Sequence, residues 1–257
     1  MVNIVEDINS LDSKEIALMD LEGTLTPGNR DIPEDAGPDM MRNILDGKRP
    51  EGSSEVGYWS GIHLLGGEHP DKYFDRVEEW KNGETSLDEF EDKNLEIWNN
   101  LVEESDFGSA QEFLEWYNQG FLDLRSESQE LVDLCHERGL DVGIISHTST
   151  SLSKAAAEDL DAEYVFPSWT FKFNGEKFAR PNMEKYAEDK SLLVPELRDT
   201  GVERIVFYGN AQNDIEIANR ADEAYMIENK ENVDYERVDA YSGGFDKIVR
   251  KSKEVAE

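Results

Sequence analysis

Two rhythms of apolar residues run along the chain. Short, nearly continuous apolar runs lie at 15–20, 140–146, 163–166, 204–208 and 224–227. Such runs predict strands buried on both faces. Between them, apolar positions recur at helical spacing over 126–138, which Gly139 ends, and over 151–160, 189–199, 214–221 and 245–255. Strands that alternate with helices predict a parallel sheet with right-handed crossovers. Residues 170–179, TFKFNGEKFA, alternate instead around Asn174-Gly175, a hairpin signal. Residues 1–14 are an acidic lead-in without a clear pattern.

The rhythm breaks between 29 and 122, where no buried strand is expected. Helices are predicted there over 35–46, 69–82, 86–104 and 109–119, with a Gly, Pro and Ser loop at 48–54. Ser86 followed by Glu89 is a capping-box signal. Trp59, Trp80, Trp98 and Trp116 fall in this stretch, and helical spacing predicts that they are packed core. Two domains follow: an α/β core from 1–28 and 123–257, and a helical insertion at 29–122, expected as a cap over the C-terminal edge of the sheet.

Charge changes the picture of partners more than of fold. The chain carries 58 Asp and Glu against 26 Lys and Arg, a formal charge of −32, spread along its length. Its 10 % aromatic content argues for a folded protein with an acidic surface rather than an acidic disordered chain. That surface fits a salt-rich, halophilic cytoplasm, with a host of ordinary salt as the alternative. With no basic stripe, nucleic acid and anionic membranes are not expected as partners. The single cysteine, Cys135, excludes an internal disulfide and reads as a small buried residue. No signal peptide and no membrane-length apolar run are visible, so a cytoplasmic protein is expected.

The chemistry starts where the first strand ends. Residues 16–28 read IALMDLEGTLTPG, so a buried strand delivers Asp20 to its C-terminal end, where open α/β sheets bind ligands. Asp20 can act as a nucleophile, and Glu22 can donate a proton and later activate water. Gly23, Thr24 and Thr26 offer N–H and hydroxyl groups to an anion. A solvated acidic turn is the bland alternative for this stretch alone. Further on, Ser146 closes the second strand and can hold a phosphate oxygen or cap a turn. Lys190 opens the predicted helix at 189–199 and can neutralise charge near Asp20. Asn210, Asn213 and Asp214 follow the strand at 204–208; Asp214 can bear on a cation or favour a helix N-terminus.

Together these residues resemble the motifs of the haloacid dehalogenase superfamily, in particular its phosphoserine phosphatase-like branch. DLEGTLT at 20–26 resembles the first motif, GIIS ending at Ser146 the second, Lys190 (with Lys185 as second choice) the third, and GNAQNDI at 209–215 the fourth. The resemblance covers the whole core domain; the insertion is similar to the family only in position and helical character. It implies a Rossmann-like core and an Mg²⁺-dependent phosphomonoesterase acting on a small phosphorylated metabolite. In that scheme Asp20 forms an aspartyl-phosphate and Glu22 is the acid and base. Ser146, Lys190 and Asn213 bind phosphoryl oxygens, and Asp20, the Glu22 carbonyl, Asn210 and Asp214 hold the metal.

The sequence also departs from that pattern. Glu22 stands for the usual Asp, keeping the acid with a longer reach. Asn210 stands for a metal-binding Asp, so weaker metal binding is expected. His147-Thr148 follow Ser146 where phosphoserine phosphatases have glycines, and Lys93 or Asn94 falls near the place of their substrate-binding arginine. His147 is open to a structural role or to contact with the leaving group. Asn210 also supports a second reading, a non-catalytic relative that binds a phosphorylated ligand or partner. An acidic scaffold would account for the charge but not for the four motifs.

Overall fold

The computed structural model describes residues 2–27, 36–48, 56–228 and 233–256. Most of the 48–54 loop, Gly28 and residue 35 lie outside the described residues. The nine described strands are β1 (Asn3–Ile4), β2 (Glu15–Met19), β3 (Asp141–Ile145), β4 (Tyr164–Phe166), β5 (Trp169–Asn174), β6 (Lys177–Met183), β7 (Arg204–Gly209), β8 (Glu223–Ile227) and β9 (Tyr241–Gly243). Seven of them form one sheet in the order β1-β4-β3-β2-β7-β8-β9, every pair parallel. This is the α/β architecture that the alternation of runs predicts. β2, β3 and β7 are each buried beyond their first residue, as expected of central strands covered on both faces.

The chain divides into two compact units: Met1–Gly28 with Asp123–Thr170 and Met183–Glu257, and Asn29–Leu122 with Phe171–Asn182. The first holds the large sheet and helices α6 (Ser128–Glu137), α7 (Thr150–Leu160), α8 (Leu193–Asp199), α9 (Ile215–Ala218) and α10 (Phe245–Ala256). Ile16, Leu18, Leu193, Leu197, Ile205, Phe207 and Ile217 form part of its core.

The second unit contains α1 (Pro38–Leu45), α2 (Tyr58–Leu65), α3 (Pro70–Lys81), α4 (Leu87–Glu104) and α5 (Ala110–Phe121). The Ser86–Glu89 capping box opens α4. Trp98 is buried and packs against Trp59, Phe171 and Phe178 with ring centroids 5.2–5.9 Å apart. The Asn99 side chain pairs both ways with the Phe178 backbone, donating at 3.2 Å and accepting at 2.8 Å. These contacts place 171–182, the body of the predicted hairpin, in the helical unit.

Five elements differ from the sequence expectation. α2 was not predicted because almost every position of YWSGIHLL is buried; a helix with no polar face shows no amphipathic period. β1 and β9 are two and three residues long, too short to show a period. The helix expected at 214–221 is shorter: a 3₁₀ turn, Gln212–Asp214, precedes α9. Likewise Lys190 sits in a 3₁₀ turn, Lys190–Leu192, that leads into α8.

Candidate active site

Strand order brings three loops together. β3 and β7 flank β2, and Met19 lies beside Ile144 and Tyr208. Asp20, Ser146 and Asn210 therefore leave the sheet at nearly the same level, on its C-terminal edge. Asp20 still donates its backbone N–H to Tyr208, at 2.9 Å, so the ladder fixes where its side chain starts.

After Asp20 the chain makes one wide turn, closed by the Thr26 N–H on the Leu21 carbonyl at 3.0 Å. Gly23 lies in the left-handed region with φ +86°, and a Cβ there would overlap the Asn210 side-chain amide. Glycine is needed on both counts. Arg125 and Ser128 hold the turn from behind. The Arg125 Nε donates to the Thr24 carbonyl at 3.0 Å, and the Ser128 hydroxyl to that of Leu25 at 2.7 Å.

At the centre is a fully buried lysine. Lys190 Nζ lies 2.6 Å from Asp20 Oδ1 and 2.8 Å from Asp214 Oδ1. Burial opposes the charge on Lys190, but the two carboxylates outweigh it and raise its pKa. Burial likewise opposes ionisation of Asp214, yet Lys190 and two backbone N–H groups hold its carboxyl below the usual range. Those N–H groups, of Asn210 and Ala211, reach Asp214 Oδ2 at 2.9 and 3.0 Å. Gly209 allows this closeness, since a Cβ there would stand 2.8 Å from Asp214 Oδ2. The second choice for the lysine, Lys185, is instead exposed and paired with Glu196.

The remaining expected residues take up graded positions. Asp20 is 3 % exposed and Ser146 2 %, whereas Glu22 is half-buried and Asn213 exposed. The Thr24 hydroxyl lies 3.3 Å from Asp20 Oδ2 and 3.4 Å from Asn210 Oδ1. Asn213 Nδ2 lies 2.8 Å from His147 Nδ1, joining the loops after β7 and β3. Arg125, Ser128 and Tyr235 were not legible as site residues. Tyr235 donates from its hydroxyl to the carbonyls of Asn210 (3.0 Å) and Ile227 (3.1 Å), so it anchors position 210. They act on backbone atoms, which leaves no motif in the sequence.

Among the described residues no three His, Cys, Asp or Glu side chains are grouped to share an ion. Asp20 Oδ2 and Asn210 Oδ1 nevertheless converge on one hydroxyl, and both are oxygens. An oxygen-only set with a single carboxylate fits Mg²⁺, which keeps several waters, better than it fits softer metals. Both oxygens of Asp214 already accept bonds from Lys190 and the backbone.

A buried acid at a strand end, bridged by a lysine to a second acid beside a Gly-containing turn, sits at the C-terminal edge of a parallel α/β sheet, where proteins of this class bind ligands. The chain belongs to the haloacid dehalogenase-like hydrolase family, whose model matches residues 14–222. Among solved structures it is similar to phosphoserine phosphatase from T. onnurineus, at 17 % identity and TM-score 0.57, over 95 % of this chain and 98 % of that one. It is also similar to a probable phosphoserine phosphatase from Vibrio cholerae, at 19 % identity and TM-score 0.58, over 98 % of this chain and 68 % of that one. A phospho-aspartyl intermediate analogue of phosphoserine phosphatase matches at 14 % identity and TM-score 0.56, over 96 % of this chain and all of that one. At these identities the likeness is one of fold. No curated protein sequence matches the chain. No helix among the described residues is long and apolar enough to cross a membrane.

Proposed function

We propose that this hydrolase cleaves phosphomonoesters of small metabolites through Asp20. The observation that carries the reading is Lys190, wholly buried and bonded to both Asp20 and Asp214. An ammonium with no access to water is costly unless it balances local charge. Here it orients the Asp20 carboxylate and supplies positive charge where a phosphoryl group would sit.

In the proposed reaction an Asp20 oxygen attacks phosphorus and the ester P–O bond breaks. Glu22, half-buried two residues on, gives its proton to the departing alkoxide. It then takes a proton from water, which attacks the phosphorus of the acyl phosphate. Inorganic phosphate leaves and the Asp20 carboxylate is restored. Ser146, Lys190 and Asn213 donate to the phosphoryl oxygens. Asp20, the Glu22 carbonyl and Asn210 would hold Mg²⁺, with Asp214 behind them fixing Lys190 and the turn at 210–211. When bound, Mg²⁺ would neutralise charge on the phosphoryl oxygens.

Phosphoserine appears in the names of all three neighbours and is the first metabolite to test. His147-Thr148 after Ser146 argues for a different leaving group. Asn210 is the support for a second reading, a relative that binds a phosphorylated ligand without turnover; the hydrolase family match speaks for the first. Phosphate release from an aryl phosphate and from phosphoserine, across a Mg²⁺ titration, separates the two. Turnover by the wild type that Asp20→Asn abolishes, with the fold intact by circular dichroism, is the expected result. Near-wild-type turnover by Asp20→Asn would remove Asp20 as the nucleophile.

A further inference from the structure

β3 and β7 each pair with β2, so they stand two strand spacings apart, roughly 10 Å. A bond between the loops that follow them must cross the end of β2, which carries Asp20. The 2.8 Å contact from Asn213 Nδ2 to His147 Nδ1 makes that crossing.

In the structure the Asn213 amide turns its nitrogen toward His147 Nδ1, and an amide nitrogen donates and does not accept, so an Asn213 N–H points at the ring. Asn213 is exposed, and an exposed amide turns over between its two orientations. An acceptor at 2.8 Å selects the orientation that brings the NH₂ end toward the strand edge, leaving its second N–H to donate. The reversed amide would present a carbonyl oxygen, which repels a phosphoryl oxygen.

We propose that His147 is a positioning residue for phosphate binding: through Nδ1 it holds the Asn213 amide with an N–H toward the phosphoryl oxygens. The proposal rests on reading the C-terminal edge as a phosphate pocket. It makes the two loops one unit, so that substituting either residue removes the same interaction.

The test is calorimetric titration of inorganic phosphate into the wild type, His147→Ala, His147→Gln, Asn213→Ala and the Ala/Ala double variant. KM and kcat for an aryl phosphate, and melting midpoints, are measured on the same set. His147→Ala should weaken phosphate binding about tenfold, the effect of one hydrogen bond to a charged group. KM should rise by a similar factor with kcat changing less. His147→Gln, whose side-chain carbonyl can accept the same N–H, should recover most of the loss. In the Asn213→Ala background, His147→Ala should add nothing. Unchanged binding by His147→Ala, multiplying effects in the double variant, or a loss that His147→Gln does not restore would each overturn the proposal. A wild type that binds phosphate without hydrolysing the ester would sink the phosphatase reading and leave the binding comparison to decide this one. A wild type that binds no phosphate would overturn both.

Discussion

Replacing Lys190 by Met tests the centre of the site through stability alone. Methionine fills much of the same volume, so the change removes a charge rather than opening a large cavity. It strips the partner from Asp20 and Asp214, which are 3 % and 0 % exposed. Breaking a buried ion pair by removing one member costs about 3–5 kcal/mol, because the remaining charge is uncompensated. At about 2–4 °C per kcal/mol for a domain of this size, the melting midpoint should fall roughly 6–20 °C at neutral pH. The pH dependence is the sharper part. The Asp214 pKa is depressed, so its contribution is present above the ordinary value of 3.8 and is lost as pH falls through the folded value. The Lys190 pKa is raised, so its contribution is full below 10.5 and is lost as pH rises through the folded value. Between these limits the wild-type contribution is level. In Lys190→Met, Asp214 keeps its two backbone N–H partners but loses its counter-charge; burial then works against its ionised form, and the variant loses stability as pH rises through its range. The gap between wild type and variant should therefore be small near pH 4 and widen toward pH 7. Adding Asp214→Asn should recover part of the loss at pH 7. A gap under about 1 kcal/mol at pH 7, or one that does not change with pH, would refute the account of Lys190 as a buried counter-charge.

Asn210→Asp should tighten Mg²⁺ binding several-fold, measured as a larger rise of the melting midpoint per increment of Mg²⁺; an equal or smaller rise would remove position 210 from the metal set. Gly23→Ala should destabilise by about 1–3 kcal/mol in urea titrations, because alanine resists positive φ and its Cβ meets Asn210; a change below about 0.5 kcal/mol would mean the turn relaxes. With a formal charge of −32, the melting midpoint should rise with KCl between low and molar salt. A flat or falling response would remove self-repulsion as a determinant of stability.

The site was legible where chemistry sits on side chains at strand ends. Asp20, Ser146 and Asn210 each follow an apolar run, and the run itself announces that the next polar residue faces the ligand edge. Lys190 was a candidate from its place at the opening of the predicted helix and from the family's motif order, but a lone lysine in DKSLLVPEL gives no sign of being buried against two acids. Arg125 and Tyr235 were invisible because they bond carbonyls, which every residue possesses. In the fold, the same limit applies to α2, whose all-round burial erases the polar face that makes helices readable. The hairpin was read correctly from Asn174-Gly175, but its membership in the helical unit depends on Trp98 and Asn99, far away in sequence.

The charge at the centre argues for a particular division of labour. Asp20 and Asp214 against Lys190 leave one net negative charge among these buried groups, and Asn210 adds none. An aspartate at 210 would double that charge, drawing a metal more strongly and repelling a phosphate more strongly in the metal's absence. The Thr24 hydroxyl lies 3.4 Å from the Asn210 side-chain oxygen and Tyr235 donates to the backbone carbonyl of the same residue, so position 210 is held at both side chain and main chain. On the proposed metal set, a site arranged in this way would give up metal affinity for a lower electrostatic barrier to an anionic ligand. That trade suits a protein whose surface already carries a large excess of acids, where an approaching phosphate meets repulsion before it reaches Lys190.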